Sequence, residues 1–321
     1  MPRLRVLLTH PPQARSLAEL RAIADVTLHE GNVALDPGSL IAAAAAVDVI
    51  VADRLTAAPA AVFASLSQLR AFVRCAVDIR NVDVPAATAA GVLVTQAGPG
   101  FVASVAELAV GYLVDLSRGV SRATADYQQG RLPAVVMGRQ LRGSTVGIIG
   151  YGSIGRYLAP VLVALGIQVL VTDPAATVDD TRFAHVPLDQ LLARSDYVVC
   201  LAIANAATEN LIDAAALARM RPHAYFINLS RGNLVDEAAL IAALRTDRIA
   251  GAALDVGRAI DQMPSLEVAQ LPTVIATPHI GGLTPPAIEA QSLETVGQVA
   301  AISRGALPVG AVNAESWRFG Q

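Results

Sequence analysis

The stretch TVGIIGYGSIGRYLAPVLVALGIQVLVTDP, residues 145–174, narrows the possible folds of this chain more than any other. It runs in the order β-branched strand, glycine turn, apolar helix, second strand, acid, which opens a parallel βαβ unit. Gly150, Gly152 and Gly155 form G-x-G-x-x-G. The first glycine permits a tight turn, the second lets backbone approach a pyrophosphate, and the third allows close packing of helix on strand. The N–H groups of Ser153 and Ile154 then face phosphate oxygens at a helix N-terminus. Asp173 stands 18 residues beyond Gly155, at the end of the next strand. There its carboxylate can accept from ribose hydroxyls and repel a 2′-phosphate, which favours NAD over NADP. A glycine-rich structural turn is the alternative; the strand, helix and acid in order speak against it.

The same alternation extends over most of the chain. RVLLTH, VDVIVAD and LRAFVRC are short apolar runs separated by alanine- and leucine-rich stretches at helical spacing. A second series begins near residue 144 with TVGIIG and continues through IQVLVTD, DYVVCLA, AYFINLS, IAGAALDV and TVIATPH. Near-continuous apolar strands are those buried on both sheet faces, so the expectation is an α/β chain with two doubly wound parallel sheets. The expected division is a first domain over 1–98, completed by a helical tail over 291–321, and a second over 99–290. A long helix is expected over 104–120, followed by a loop-like connection, QQGRLPAVVMGRQLRG. Its 321 residues suffice for two such domains.

Composition removes other classes. A net charge of −3 gives no basic field for nucleic acid. There is no lysine, which excludes Schiff-base chemistry, pyridoxal-phosphate attachment and the P-loop lysine. Cys75 and Cys200 have no metal or redox spacing and are expected as small core residues in a reducing cytoplasm. The start, MPRLRVLLTHPP, reads as a first strand rather than a signal peptide, and no apolar tract reaches the length of a membrane span.

Two further stretches end strands of the second series, where ligands of open α/β sheets bind. INLSRGNLVDE places Arg231 to fork onto a substrate carboxylate; a surface arginine in an ion pair is the alternative. TPHIGG places His279 between a proline and two glycines, unlike His10, His29, His185 and His223, which read as surface or loop residues. A histidine there can give a proton to a carbonyl receiving hydride, or can be merely structural. With these residues in place, the chain resembles the NAD-dependent D-2-hydroxyacid dehydrogenase family. The resemblance rests on GIIGYGSIG with Asp173, LARMRPHAYFINLSRGNLVDEAAL, GAALDV and TPHIGG, and more loosely on NVDVPAATAAGVLVTQAGPG and VAELAVG.

The resemblance implies a Rossmann nucleotide domain, a flavodoxin-like substrate domain, an active site in the cleft and a homodimer. It implies that Arg231 binds the substrate carboxylate and carbonyl, that His279 is the acid–base group, and that Asp255 contacts the nicotinamide carboxamide. The implied cofactor contacts are Gly150, Tyr151, Gly152, Ser153, Ile154, Gly155, Asp173, Pro174, Ala202, Thr208, Leu229, Ser230, Asp255 and Gly281. The implied partner is a small 2-oxo or 2-hydroxy acid, with no metal, nucleic acid or membrane.

The chain departs from that family in two places. Where members carry a glutamate five residues after the aspartate of the LDV strand, it has Ile260, followed by Asp261. Loss of that anion is expected to lower the histidine pKa, at about 1.4 kcal/mol per unit. Asp261 is the candidate replacement; a solvated loop aspartate is the alternative. In the substrate loop RCAVDIRNVDV, Ala76 and Asp78 occupy glycine positions and Arg80 an acidic one. Val77 and Asp78 can still offer amides to a carboxylate, and Asp78 brings a negative side chain unless Arg74 or Arg80 pairs with it. Arg54, Arg74 and Arg80 are the candidate cations for a phosphorylated substrate. A catalytically weakened NAD(H)-responsive binding or regulatory protein on the same fold is the rival reading, and a formate- or phosphite-type oxidation a third.

Overall fold

The computed structural model describes residues 3–31, 33–178, 180–259 and 261–319. The chain divides into two compact units, one of Met1–Gly100 with Pro285–Gln321 and one of Phe101–Thr284.

The first unit holds β1 (Leu4–Leu8), β2 (Ala24–Leu28), β3 (Val49–Ala52), β4 (Ala71–Arg74) and β5 (Leu93–Gln96). They form one parallel sheet in the order β2-β1-β3-β4-β5, the flavodoxin-like arrangement. Alternate residues of each strand enter separate cores. Leu7, Ile50, Phe72 and Val94 point to one face; Val6, Leu8, Val51, Val73 and Leu93 point to the other. Two buried faces are the reason these strands read as unbroken apolar runs. The helix Pro285–Ser303 contributes Val296, Val299 and Ile302 to the second of these cores, where Trp317 joins it. Gln298, 2% exposed, bonds Thr95 through Oε1 and the Gln96 and Val309 carbonyls through Nε2.

The second unit holds β6 (Thr145–Ile149), β7 (Gln168–Thr172), β8 (Ala184–His185), β9 (Tyr197–Cys200), β10 (Tyr225–Asn228), β11 (Gly251–Leu254) and β12 (Val274–Ala276). All pairs are parallel, in the order β12-β11-β10-β9-β6-β7-β8. The chain reverses direction across the sheet between β6 and β9, the switch point at which such sheets bind ligands. The helix Val102–Arg118 buries Val105, Ala109, Tyr112 and Leu113 against this sheet. It ends at Gly119, whose φ of 66° is left-handed, and a separate helix follows over Val120–Gln128. The single helix expected over 104–120 is thus interrupted at a glycine C-cap.

Two expectations about the first unit are corrected. Arg74 is fully buried rather than a cation for substrate. Its Nη2 donates to the Thr56 carbonyl and to Asn81 Oδ1, and burial pulls its pKa down to about 10. Cys75 is only half-buried, unlike Cys200. His10 lies in the bend after β1, as a loop residue, and is half-buried; burial holds its pKa below the ordinary value. Among the described residues, no helix is long and apolar enough to cross a membrane.

Candidate active site

The glycine turn lies at the switch point, and its three glycines have three different reasons to be glycine. Gly150 follows β6 with a φ of 98°, and a Cβ there would lie 2.6 Å from the Ala202 nitrogen beyond β9. A Cβ on Gly155 would lie 2.4 Å from the Gly150 carbonyl oxygen, so helix Ser153–Ala164 can sit this close only without a side chain. A Cβ on Gly152 would meet nothing within 4 Å. The protein itself leaves room at Gly152, the N-cap, where the amides of the first turn point out of the helix. That space, at the positive end of a helix, fits the pyrophosphate of a dinucleotide.

Asp173 follows β7 directly. Its Oδ2 accepts from the Tyr151 amide at 2.7 Å, and Oδ1 accepts from Ala175 and Ala176 at 2.9 and 3.1 Å. Burial works against its charge, but these amides outweigh it and hold the carboxyl below its ordinary value. The Tyr151 ring is buried edge-on against Phe183, with Arg156 over its face. Pro174 is exposed beside Asp173. On β9's side, the Ala202 carbonyl accepts from Ser230 Oγ, while Thr208 closes a capping box with Asn205. Leu229 is buried, and its amide bonds the Cys200 carbonyl.

Along the same edge the strand ends are in register. Ile149 pairs with Cys200, Cys200 with Asn228, Asn228 with Leu254, and Leu254 with Ala276. Arg231 and His279 therefore each lie three residues past aligned strand ends, with Asp255 one residue past the strand between them. Arg231 is braced: its Nη1 donates to the Ser230 carbonyl, and its own carbonyl accepts from Asn228 Nδ2. The glycine after it is required, since a Cβ on Gly232 would collide with Gly257 backbone at 2.1 Å.

Asp255 is 2% exposed. Its Oδ1 accepts from Thr277 Oγ1 at 2.6 Å and the Ile280 amide at 2.8 Å; its Oδ2 accepts from the Gly281 amide at 2.8 Å. Three donors from one loop thus converge on one buried carboxylate, and His279 lies between them. His279 has a φ of 55°, the left-handed region, which costs a non-glycine residue on the order of 1 kcal/mol unless its surroundings hold it there. Its amide donates to the Thr277 carbonyl at 3.0 Å.

Residues 110–281 match the family model of D-isomer specific 2-hydroxyacid dehydrogenase, NAD binding domain. The chain belongs to the D-isomer specific 2-hydroxyacid dehydrogenase family. It is 33% identical to the (S)-sulfolactate dehydrogenase of Chromohalobacter salexigens, over 92% of this chain and 96% of that one. It is 31% identical to the D-3-phosphoglycerate dehydrogenase of Synechocystis sp., over 92% of this chain but only 53% of the relative, so it spans about half that protein's length. A solved structure from Thermus thermophilus superposes with a TM-score of 0.89 at 27% identity, covering 96% of this chain and all of the other. This member of the dehydrogenase family is an oxidoreductase with an NAD-binding Rossmann domain.

Ile260, at the position where the resemblance leads one to expect a glutamate, lies outside the described residues. Asp261 is exposed, and its Oδ1 accepts from the Met263 amide, an aspartate serving its own turn. In the first unit, Val77 and Asp78 are half-buried and Arg80 is exposed. The Arg80 guanidinium forks onto the Asp78 carboxylate at 2.8–3.1 Å, which pairs the negative charge and engages the cation offered for a phosphorylated substrate. Sequence reasoning missed Tyr112, Thr277 and Asn228. Thr277 sits inside the TPHIGG motif, but Tyr112 occupies an ordinary core position of an apolar helix, and nothing in the pattern marks its hydroxyl.

Gly152→Ala is expected to keep the parent melting temperature while weakening NADH binding tenfold or more, roughly the loss of one good contact. Gly155→Ala should instead lower stability by about 2 kcal/mol through overpacking. Paired NADH titration and urea unfolding check this. For Asp173, the folded carboxyl titrates below its unfolded value of 3.8. Its contribution is therefore complete above that pH and lost as the pH falls through the lower folded value. The stability gap between the parent and Asp173→Ala should be full at about pH 6 and narrow steadily below the unfolded value, read as urea midpoints.

Proposed function

We propose that this chain interconverts a 2-oxo acid and a D-2-hydroxy acid with NAD(H). Arg231 holds the substrate carboxylate and carbonyl oxygen, and His279 holds the proton exchanged with that oxygen. NADH, when bound, supplies the hydride that reduces the 2-oxo carbon. The observation behind the reading is the common carboxyl edge, on which Gly150, Arg231, Asp255 and His279 all follow strand ends in register. Asp255 holds the His279 loop and is available at the same edge for the nicotinamide carboxamide; the remaining cofactor positions keep the roles given above.

Asp261 leaves the catalytic set in this reading, because its carboxylate is exposed and committed to Met263. Val77, Asp78 and Arg80 are kept as substrate-binding residues. With Arg80 already paired to Asp78, their loop disfavours a second negative charge, which points to small unphosphorylated acids such as glyoxylate or hydroxypyruvate. A reducing cytoplasm fits the free Cys75 and Cys200.

Loss of NADH absorbance with a panel of 2-oxo acids tests the reading. Turnover is expected in the parent, His279→Gln should lower kcat by about 10²–10⁴, and Asp261→Asn should leave the pH profile unmoved. NADH binding without turnover on any acid would favour the regulatory protein instead.

We propose in addition that two copies of this chain pair through the second unit. Leu132, Val135, Val136 and Met137 are 79–104% exposed, a run too apolar to face water without cost. Met137 also lines a groove of about 630 Å³ that has Val110, Val114, Leu141 and Leu165 among its apolar residues and Arg118, Arg139 and Arg142 among its polar ones. An exposed apolar run bordering a largely apolar groove on one surface supplies the parts of an isologous contact. Val135→Asp with Met137→Asp should shift the sedimentation coefficient from dimer to monomer; a monomeric parent would end this proposal.

A further inference from the structure

We infer that the Tyr112 hydroxyl is a positioning group for His279, acting through Thr277 and Asp255. This rests on the reading of His279 as the proton-holding group. The helix Val102–Arg118 lies along the whole His279 loop. Ser104 Oγ bonds Thr284 Oγ1 at 2.6 Å at one end. In the middle, a Cβ on Gly281 would lie 3.4 Å from Val105 Cγ2, and one on Gly282 would lie 3.2 Å from Phe101 Cβ. At the other end, the Tyr112 hydroxyl meets Thr277 Oγ1. The loop packs against this helix and the Phe101 that precedes it.

The direction of the hydrogen bonds follows from the groups. A carboxylate only accepts, so Thr277 donates its one proton to Asp255 Oδ1. Thr277 Oγ1 can then only accept from Tyr112, which is the donor at the head of the chain. Burial pushes the Tyr112 pKa up, and the Asp255 charge pushes it further, so the phenol keeps its proton across the neutral range.

A phenylalanine would fill the same space without a buried hydroxyl, and Tyr112 is 3% exposed. A buried hydroxyl is costly unless hydrogen-bonded, and this one has its bond on Thr277. The consequence falls on His279, whose neighbours on both sides share one acceptor. Thr277 and the Ile280 amide meet at Asp255 Oδ1, which holds the left-handed backbone of His279 between two fixed points. Without the tyrosine donor, Thr277 can rotate away from Asp255, and one of those points is lost.

The test compares parent, Tyr112→Phe, Thr277→Val and Thr277→Ser by amide hydrogen exchange at Ile280 and Gly281, by kcat and KM, and by NADH affinity. Tyr112→Phe should speed exchange at both amides and lower kcat, each about tenfold, the size of a displaced catalytic group or one lost hydrogen bond. Melting temperature should stay near the parent value, and NADH affinity, which Asp255 and Gly281 serve, should fall less than kcat. Thr277→Val should reproduce the change by removing the next link, and Thr277→Ser should restore the exchange protection that valine loses. Parent-like exchange in both Tyr112→Phe and Thr277→Val overturns the inference, as does faster exchange with unchanged kcat. A kcat loss matched by lost NADH affinity and lower melting temperature also overturns it, as a general loosening. A parent without turnover on any 2-oxo acid ends the functional reading and the role of His279 with it, while exchange still reports whether the anchor exists.

Discussion

The buried carboxylate of Asp255 organises the second unit's working edge. An acid removed from water is tolerated only when donors replace the water, and here three donors from Thr277, Ile280 and Gly281 do so. The arrangement joins the end of β11 to the loop after β12, and so ties one strand end to the next. Each donor also limits His279, which sits in a backbone region that a free chain rarely visits. The unfavourable backbone and the favourable carboxylate contacts are parts of one arrangement. For the proposed proton exchange at His279, a loop preorganised in this way would leave less reorganisation to the reaction.

That edge exists because the strands are in register and parallel. Parallel strands release all their carboxyl ends on one side, so residues far apart in sequence, such as Gly150 and His279, emerge on a common rim. The glycines keep the rim compact. Gly155 lets its helix touch the Gly150 carbonyl, and Gly232 lets the Arg231 turn touch Gly257. Gly152 differs, since no protein atom lies within 4 Å of its Cβ direction, which leaves room at the helix N-terminus.

Cations in the first unit are enclosed or paired. Arg74, at the end of β4, is fully enclosed, and the carbonyl of Thr56 and the side-chain oxygen of Asn81 hold its Nη2. Arg80 forks onto Asp78, so the loop that carries this acid also carries the cation that neutralises it. A chain whose every side-chain cation other than histidine is arginine has only forked, permanently charged groups for such pairings.

Local chemistry made much of this legible from the sequence. Strand runs, the glycine turn and Asp173 follow from short-range rules of sterics and hydrogen bonding, and so does the α/β class with two parallel sheets. Arg231, Asp255 and His279 were visible as polar residues just past apolar strands. What each of them touches was not. Asp255 spends its buried oxygens on a loop 22 to 26 residues further on, and Tyr112 reaches Thr277 across 165 residues of chain. Arg74 and Arg80 look alike in sequence; one is sealed in a core and the other paired at the surface. Asp261 stood at a plausible spacing, yet its carboxylate closes its own turn. Periodicity and motif spacing are properties of neighbours along the chain, and they determined the elements and the edge. Partnership between side chains depends on which elements pack together, and that only the tertiary structure decided.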